Sequence, residues 1–384
     1  MTPRPPSIRS RAALGLTAAA AVGRFELQVC RSCGAVQYPP REACHRCLSC
    51  VLDWRLQPGG AELLSETTLL HSHDEFFRSR VPIRLGLVRL DSGPSAVVFL
   101  DDGVAAPPER VRVDVRLDRA GQGVLVAFAE GAAVTQMTQS RLLREMGCDP
   151  RGRRVLVTDA GAELGVALVR ALVDAGAAVV WAGCSAAAAT RGLKDMLGAL
   201  EPVRFVAMDV TSDESVQGAA DQIASQVDVL INNAETCLAG FASARAEMDT
   251  NYFGLLRLAQ AFAPAMQAGA TSAATTANVP MMAWVNLLSI YALSGIATQS
   301  TFAASKAAAC SFAQAQRAEM LPAGIRVINV FPGPDMAPFT LAQSIVTALQ
   351  EGIEDLYPGE VAQDWLTQWR NNPKGLEREL TPDR

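Results

Sequence analysis

Nine cysteines occur in the 384 residues, and five of them fall between positions 30 and 50. Cys30 and Cys33 form one Cys-x-x-Cys pair, and Cys44 and Cys47 form a second after ten intervening residues. Two such knuckles on tight turns, the first helped by Gly34, can aim four thiolates at one tetrahedral zinc ion. A closed shell of four sulfurs leaves no coordination site for water or substrate, so a zinc held this way would be structural. A disulfide pair or a redox Cys-x-x-Cys is the alternative, and the doubling of the motif favours zinc. Cys50 lies three residues past Cys47 and could substitute for a neighbour, but it and His45 read as bystanders. Five crowded thiols would be liable to disulfide exchange in an oxidising compartment, so the cluster argues for the cytoplasm.

The length fits two domains better than one core. Apolar residues make up 49% and charged residues 19%, a globular composition. A net charge of −5 provides no basic field for nucleic acid. No uninterrupted apolar run reaches the length of a membrane span; Val279–Ala297 is broken by Pro280, Asn286, Ser289 and Gly295. Residues 1–23 carry Arg4, Arg9 and Arg11 ahead of an Ala-rich stretch that imitates a signal peptide. The cysteines downstream favour instead a helical extension packed on the next domain or on a partner.

After the knuckles, short alternating strands recur at Ala61–Leu70, Ile83–Leu90, Ala96–Leu100, Val111–Leu117 and Val124–Ala129, with Gly, Pro and Asp between them. Five such strands suit a small OB-type β-barrel. The basic groove and interleaved aromatics of a nucleic-acid-binding barrel are missing. With Tyr38-Pro39-Pro40-Arg41 between the knuckles, residues 24–135 resemble the zinc-ribbon plus OB-fold proteins of acyl-CoA metabolism, often companions of thiolases. That resemblance implies an accessory module that pairs with a thiolase-like subunit and helps admit an acyl-CoA thioester. Arginines could receive the CoA phosphates, although the sequence does not single out which.

From Arg153 the period changes to alternating strands and helices. Val155–Thr158, Ala177–Ala182, Val203–Met208 and Val227–Ile231 read as strands, with Leu164–Ala175 as the first helix. Further on come a helix through Asn251–Phe262, a strand near Trp284–Leu288, a helix over Phe302–Met320 and a strand at Ile325–Val330. This alternation predicts an α/β fold with a Rossmann-like doubly wound parallel sheet. The organisation expected is an extension (1–23), a zinc ribbon (24–52), an OB-fold (53–146), a linker (147–152) and the α/β domain (153–384).

The ordered landmarks of the last part are Thr158-Asp159-Ala160-Gly161-Ala162-Glu163-Leu164-Gly165, Asp209, Asn232-Asn233-Ala234-Glu235, Asn251, Asn286 to Ser289, Phe302 to Lys306, and Phe331-Pro332-Gly333. Together they resemble the short-chain dehydrogenase/reductase family. The resemblance implies that Ser289 polarises a carbonyl, Lys306 holds the cofactor ribose, and Asn251 supports a proton-relay water. The fourth position, the tyrosine that transfers the proton, is Phe302 here. General acid–base catalysis contributes roughly a hundred- to ten-thousand-fold, and a phenyl ring cannot supply it. Tyr291 sits on a different element and is poorly placed to take over.

The cofactor positions implied by the family are Thr158, Gly161, Gly165, Asp209 and Asn232, and they are degenerate. A glycine turn lets backbone approach the pyrophosphate at a helix N-terminus. Asp159 and Glu163 stand where the family has glycines, and each adds negative charge. Glu235 replaces a glycine beside the adenosine ribose. Trp181-Ala182-Gly183-Cys184 ends the second strand without an acid for a ribose hydroxyl or an arginine for a 2′-phosphate. These features argue against NAD(P) binding and for a pseudoenzyme.

The leading expectation is a non-catalytic, oligomer-forming organising subunit, docking a thiolase-like enzyme and pairing with an active short-chain dehydrogenase. The alternatives are an active NAD(P)-dependent 3-hydroxyacyl-CoA dehydrogenase or ketoreductase with an atypical site, and an acyl-CoA sensor.

Overall fold

The computed structural model describes residues 4–6, 10–131, 141–185, 187–238, 240–273 and 279–380. Arg9 in the N-terminal extension and residues 132–140 in the expected OB-fold lie outside the described residues. The chain divides into two compact units. One comprises Met1–Cys148 with Ala273–Met281 and Gln350–Ile353, and the other holds the remaining residues from Asp149 onward.

In the first unit, strands β1 (Glu26–Cys30), β2 (Val36–Gln37) and β3 (Leu52–Leu56) form a small antiparallel sheet in the order β2-β1-β3. Strands β4 (Gly60–Leu69), β5 (Ile83–Leu90), β6 (Ser95–Leu100), β7 (Glu109–Leu117) and β8 (Gly123–Ala129) close into a barrel in the order β4-β5-β6-β8-β7. All its ladders are antiparallel except the β6–β8 pair. This is the OB-type barrel expected from the alternation, which the burial pattern reproduces: Val88, Leu90, Val98 and Leu100 face the core between exposed neighbours. A helix, Leu14–Ala21, places Leu16 and Ala20 in the same core.

The second unit is built on seven parallel strands: β9 (Arg154–Val157), β10 (Val179–Cys184), β11 (Val203–Ala207), β12 (Val229–Asn232), β13 (Met282–Leu287), β14 (Ile325–Val330) and β15 (Asp355–Leu356). Their order is β11-β10-β9-β12-β13-β14-β15, so the connection reverses direction between β9 and β12. In doubly wound sheets the crevice at such a switch point is where ligands bind. Strands β12, β13 and β14 are buried throughout, as strands covered on both faces must be. Trp284 on β13 is completely buried and donates its indole N–H to Asn286 at 2.9 Å. Asn286 in turn bonds Asn329 (3.2 Å) on the next strand, which makes this landmark residue a fastener of the sheet. The long segment read as one helix from Asn251 begins with a π-turn, Asp249–Phe253, before the regular helix Gly254–Ala273.

Candidate functional site

The four cysteines predicted to hold zinc converge. Their sulfurs all lie within 4.8 Å of one another, with Cys30–Cys47 at 3.5 Å and Cys33–Cys44 at 3.6 Å. Four sulfurs at about 2.3 Å from a central zinc stand about 3.8 Å apart, so the cluster has the dimensions of a tetrahedral thiolate shell. Burial opposes charge on Cys30, yet the backbone N–H groups of Cys33 and Ser32 bring its thiol down to about 6. The N–H groups of Cys47 and Arg46 likewise lower Cys44. Backbone donors of this kind favour the thiolate at Cys30 and Cys44, whereas at Cys47 the N–H of Ser49 is outweighed by the neighbouring sulfurs of Cys33 and Cys30, which push that thiol up. His45 and Cys50 lie outside the cluster: the His45 ring turns its Nδ1 toward Gln37 Oε1 (3.2 Å).

In the second unit, the loops after β9, β12 and β13 meet at the switch point. Thr158, directly after β9, is fully buried, and its hydroxyl accepts the backbone N–H groups of Asn233 (2.9 Å) and Ala234 (3.2 Å). Asn233 donates its side-chain amide to Asp159 O (3.1 Å), tying the two loops together. Asn232 ends β12 with its Oδ1 3.4 Å from the Thr158 hydroxyl. Asp159 occupies the left-handed region (φ 49°), a conformation glycine adopts without strain. Burial pushes its carboxyl above the ordinary range.

Gly165 has a demonstrable packing requirement, because a Cβ there would meet Asp159 O at 2.3 Å. Gly161 has more room, with Ala188 Cβ at 3.2 Å. Glu163 stands in the first turn of the helix Glu163–Asp174 and offers the helix N-terminus a negative charge from the chain itself. Asp209 takes no part in the crevice contacts; it accepts from the Thr211 backbone N–H (2.9 Å) and hydroxyl (2.7 Å), which hold its carboxyl below the usual range.

The catalytic positions are occupied by contacts within the chain. Phe302 is buried and, together with Ser305 and Lys306, lies on the inner face of the helix Ser300–Met320. Lys306, only 1% exposed, donates from Nζ to Leu287 O (2.9 Å) and pairs with Glu235 Oε2 at 2.9 Å. The sequence placed Glu235 beside the adenosine ribose; the structure instead turns its carboxylate onto the lysine that the family uses to hold a ribose. Lys306 Nζ also stands 5.6 Å from the Phe302 ring centroid, where the family has a phenol.

Asn251 is engaged on both sides of its amide. Its Oδ1 accepts Thr236 N–H (2.9 Å), and its Nδ2 donates to Thr236 O (2.8 Å) and Ser305 Oγ (2.8 Å). It therefore clamps the backbone of the residue next to Glu235. Ser289 accepts the Tyr291 N–H (3.2 Å) and caps the turn Ile290–Ala292. Burial raises the Tyr291 phenol, whose ring packs edge-on against Trp365 at 5.7 Å. Ser305 and the fully buried Glu247, which accepts Leu238 N–H at 2.8 Å, complete the walls and carried no signal of their own in the sequence.

A family model for short chain dehydrogenases matches residues 153–343. A short chain dehydrogenase from Burkholderia cenocepacia, crystallised with NADP, is 30% identical and is covered over 100% of its length and 61% of this chain, with a TM-score of 0.54. The chain belongs to the short-chain dehydrogenase family. Its first unit matches the models described as "ChsH2, rubredoxin-like zinc ribbon domain" over residues 17–50 and "ChsH2, C-terminal OB-fold domain" over residues 54–122. Curated relatives include a 3-ketodihydrosphingosine reductase of Bacteroides thetaiotaomicron, 33% identical over 36% of this chain and 51% of the relative. Another is human retinol dehydrogenase 8, 33% identical over 34% of this chain and 41% of the relative. The chain thus spans about half the length of these relatives. A Burkholderia phymatum short chain dehydrogenase/reductase in complex with NAD shares the fold, with a TM-score of 0.52 at 18% identity, covering 62% of this chain and 98% of its own. The matched models thus place a zinc ribbon, an OB barrel and a short-chain dehydrogenase domain on one chain. No helix among the described residues is long and apolar enough to cross a membrane.

Proposed function

We propose that the chain is a non-catalytic organising subunit of cytoplasmic CoA-thioester metabolism. Its ribbon and barrel dock a thiolase-like enzyme, and its dehydrogenase domain pairs with an active hydroxyacyl-CoA dehydrogenase. The observation that carries this reading is the Lys306–Glu235 pair, made beside a buried Phe302. The group that would hold the ribose is spent on a carboxylate of the same chain, and the proton donor is missing. Asp159 and Glu163 add negative charge in the turn where a pyrophosphate would have to sit. A domain that keeps this fold while losing these groups can still associate through its helix faces, and assembly is the role we assign to it.

Two measurements test the reading. The chain, coexpressed with thiolase-like and dehydrogenase genes from the same locus, should copurify with both; failure to associate with either would end the proposal. Calorimetric titration with NAD(H) and NADP(H) should give no saturable heat. Micromolar binding would favour the second reading, an active reductase in which water replaces the phenol. That alternative draws its support from relatives named as reductases and from the NADP in the Burkholderia cenocepacia structure.

A further inference from the structure

The chain has 3 histidines, and two of them, His71 and His73, flank a single serine. They lie between β4 and the short helix Glu75–Arg78, and both are exposed. Their ring centroids are 5.1 Å apart with the ring planes at 90°. Neither ring has a hydrogen-bond or ion-pair partner among the described residues. The third histidine, His45, is engaged by Gln37 Oε1 instead.

The spacing of the pair is that of a chelate. Two imidazoles bound to one ion through nitrogen at about 2.1 Å, in a tetrahedral arrangement, place their ring centroids about 5.2 Å apart. An edge-to-face ring contact stabilises the same spacing with no ion between the rings. Bringing both nitrogens onto one ion therefore asks for rotation of the rings and little change in their separation.

The backbone carrying the pair is also tied down. The Ser72 hydroxyl accepts the Asp74 N–H (3.2 Å), and Asp74 Oδ1 accepts the N–H groups of Phe76 (2.9 Å) and Phe77 (3.2 Å). Arg78 donates from Nη2 to His73 O at 2.9 Å, closing the loop from the far end of the same helix. Phe76 is buried and anchors this turn to the body of the first unit. Two ligands on a fixed backbone lose less freedom on binding than two on a mobile one.

We propose that His71 and His73 form a second metal site, for a divalent transition ion of the kind that imidazole suits, such as zinc, nickel or copper. Among the described residues, the ribbon cysteines are the one convergent group of three or more such ligands. The chain therefore supplies two ligands at the histidine pair, and the other positions fall to water or to a donor from a partner. The four-sulfur shell of the ribbon is closed, whereas this site is open to exchange. Magnesium and calcium, which take oxygen ligands, do not fit it.

The test uses the tag-free, full-length chain with zinc already in its ribbon. Calorimetric titration with zinc should show one further ion per chain, and an excess of magnesium should not displace it. His71→Gln and His73→Gln should each weaken that second ion at least about tenfold, since even the outer partners of metal ligands are worth roughly ten- to a hundredfold. Both side chains are exposed, so the variants should keep the fold and the ribbon zinc. In a histidine-labelled sample, substoichiometric copper should broaden the imidazole signals of His71 and His73 and spare that of His45. Absence of a second ion in the wild type would overturn the site. Undiminished binding in both variants would do the same by assigning the ion elsewhere, as would equal broadening of all three imidazoles.

Discussion

Glu235 Oε2 lies 2.9 Å from Lys306 Nζ, and the two differ sharply in exposure: Lys306 is 1% exposed, Glu235 44%. The asymmetry decides what each substitution should do. Removing the carboxylate leaves a buried ammonium with one acceptor among the described residues, Leu287 O, whereas removing the ammonium leaves a carboxylate that water can reach. Glu235→Gln should therefore destabilise the domain by about 1–2 kcal/mol, a figure already reduced for the exposure of the acid. Lys306→Met should cost less, and the Lys306→Met/Glu235→Gln pair should be more stable than Glu235→Gln alone. Urea denaturation of the four proteins checks this. If Lys306→Met proves the more damaging single change, the pair does not hold the lysine as described.

Restoring the phenol alone should not restore an enzyme. Phe302→Tyr supplies an acid beside Lys306 but changes neither the Glu235 contact nor the left-handed Asp159 in the cofactor turn. With β-hydroxyacyl-CoA and NAD(P), the expected turnover is indistinguishable from that of the unchanged protein. Substantial activity in that single variant would show that Asp159 and Glu163 do not obstruct the pyrophosphate.

These contrasts trace what a sequence can carry. The zinc cluster was legible because its ligands sit on two local turns whose spacing sets the geometry. The barrel was legible because alternation with period two survives in β5 and β6. The doubly wound parallel sheet was legible from the strand–helix alternation and from ordered landmarks such as Thr158, Asn232 and Asn286. Glu235 was recognisable as a replaced glycine, but its partner is a matter of side-chain direction across the crevice, with Asn251 clamping Thr236 beside it. No periodicity encodes that.

The ligand set of the ribbon makes a second separation. Cys44→Ser should abolish retention of one zinc per chain, because Cys44 is buried and receives the N–H donors of the second knuckle. Cys50→Ser should retain it, since Cys50 is exposed and outside the cluster of sulfurs. Metal content by mass spectrometry after desalting decides. Chelation of the wild type should also loosen the ribbon strands β1–β3, because ligand binding and folding are linked in such small sites.

Acid stability should depend on Asp228, which anchors the start of β9. Its carboxylate accepts the Arg154 backbone N–H (2.9 Å) and pairs with the guanidinium at 2.9 Å. Burial pushes this carboxyl up, but the side-chain and backbone donors of Arg154 outweigh it, and the group titrates below the ordinary aspartate range. A carboxyl that is depressed on folding contributes stability that is complete above its unfolded value, near pH 4, and is lost as the pH falls through the lower folded value. The second unit should therefore lose stability below about pH 4. In Asp228→Asn that part of the acid dependence should disappear, at the expense of a lower plateau at neutral pH because the charge-assisted bonds to Arg154 weaken. Thermal denaturation from pH 3 to 7 follows both effects. An unchanged pH profile in the variant would mean that other carboxylates govern acid unfolding.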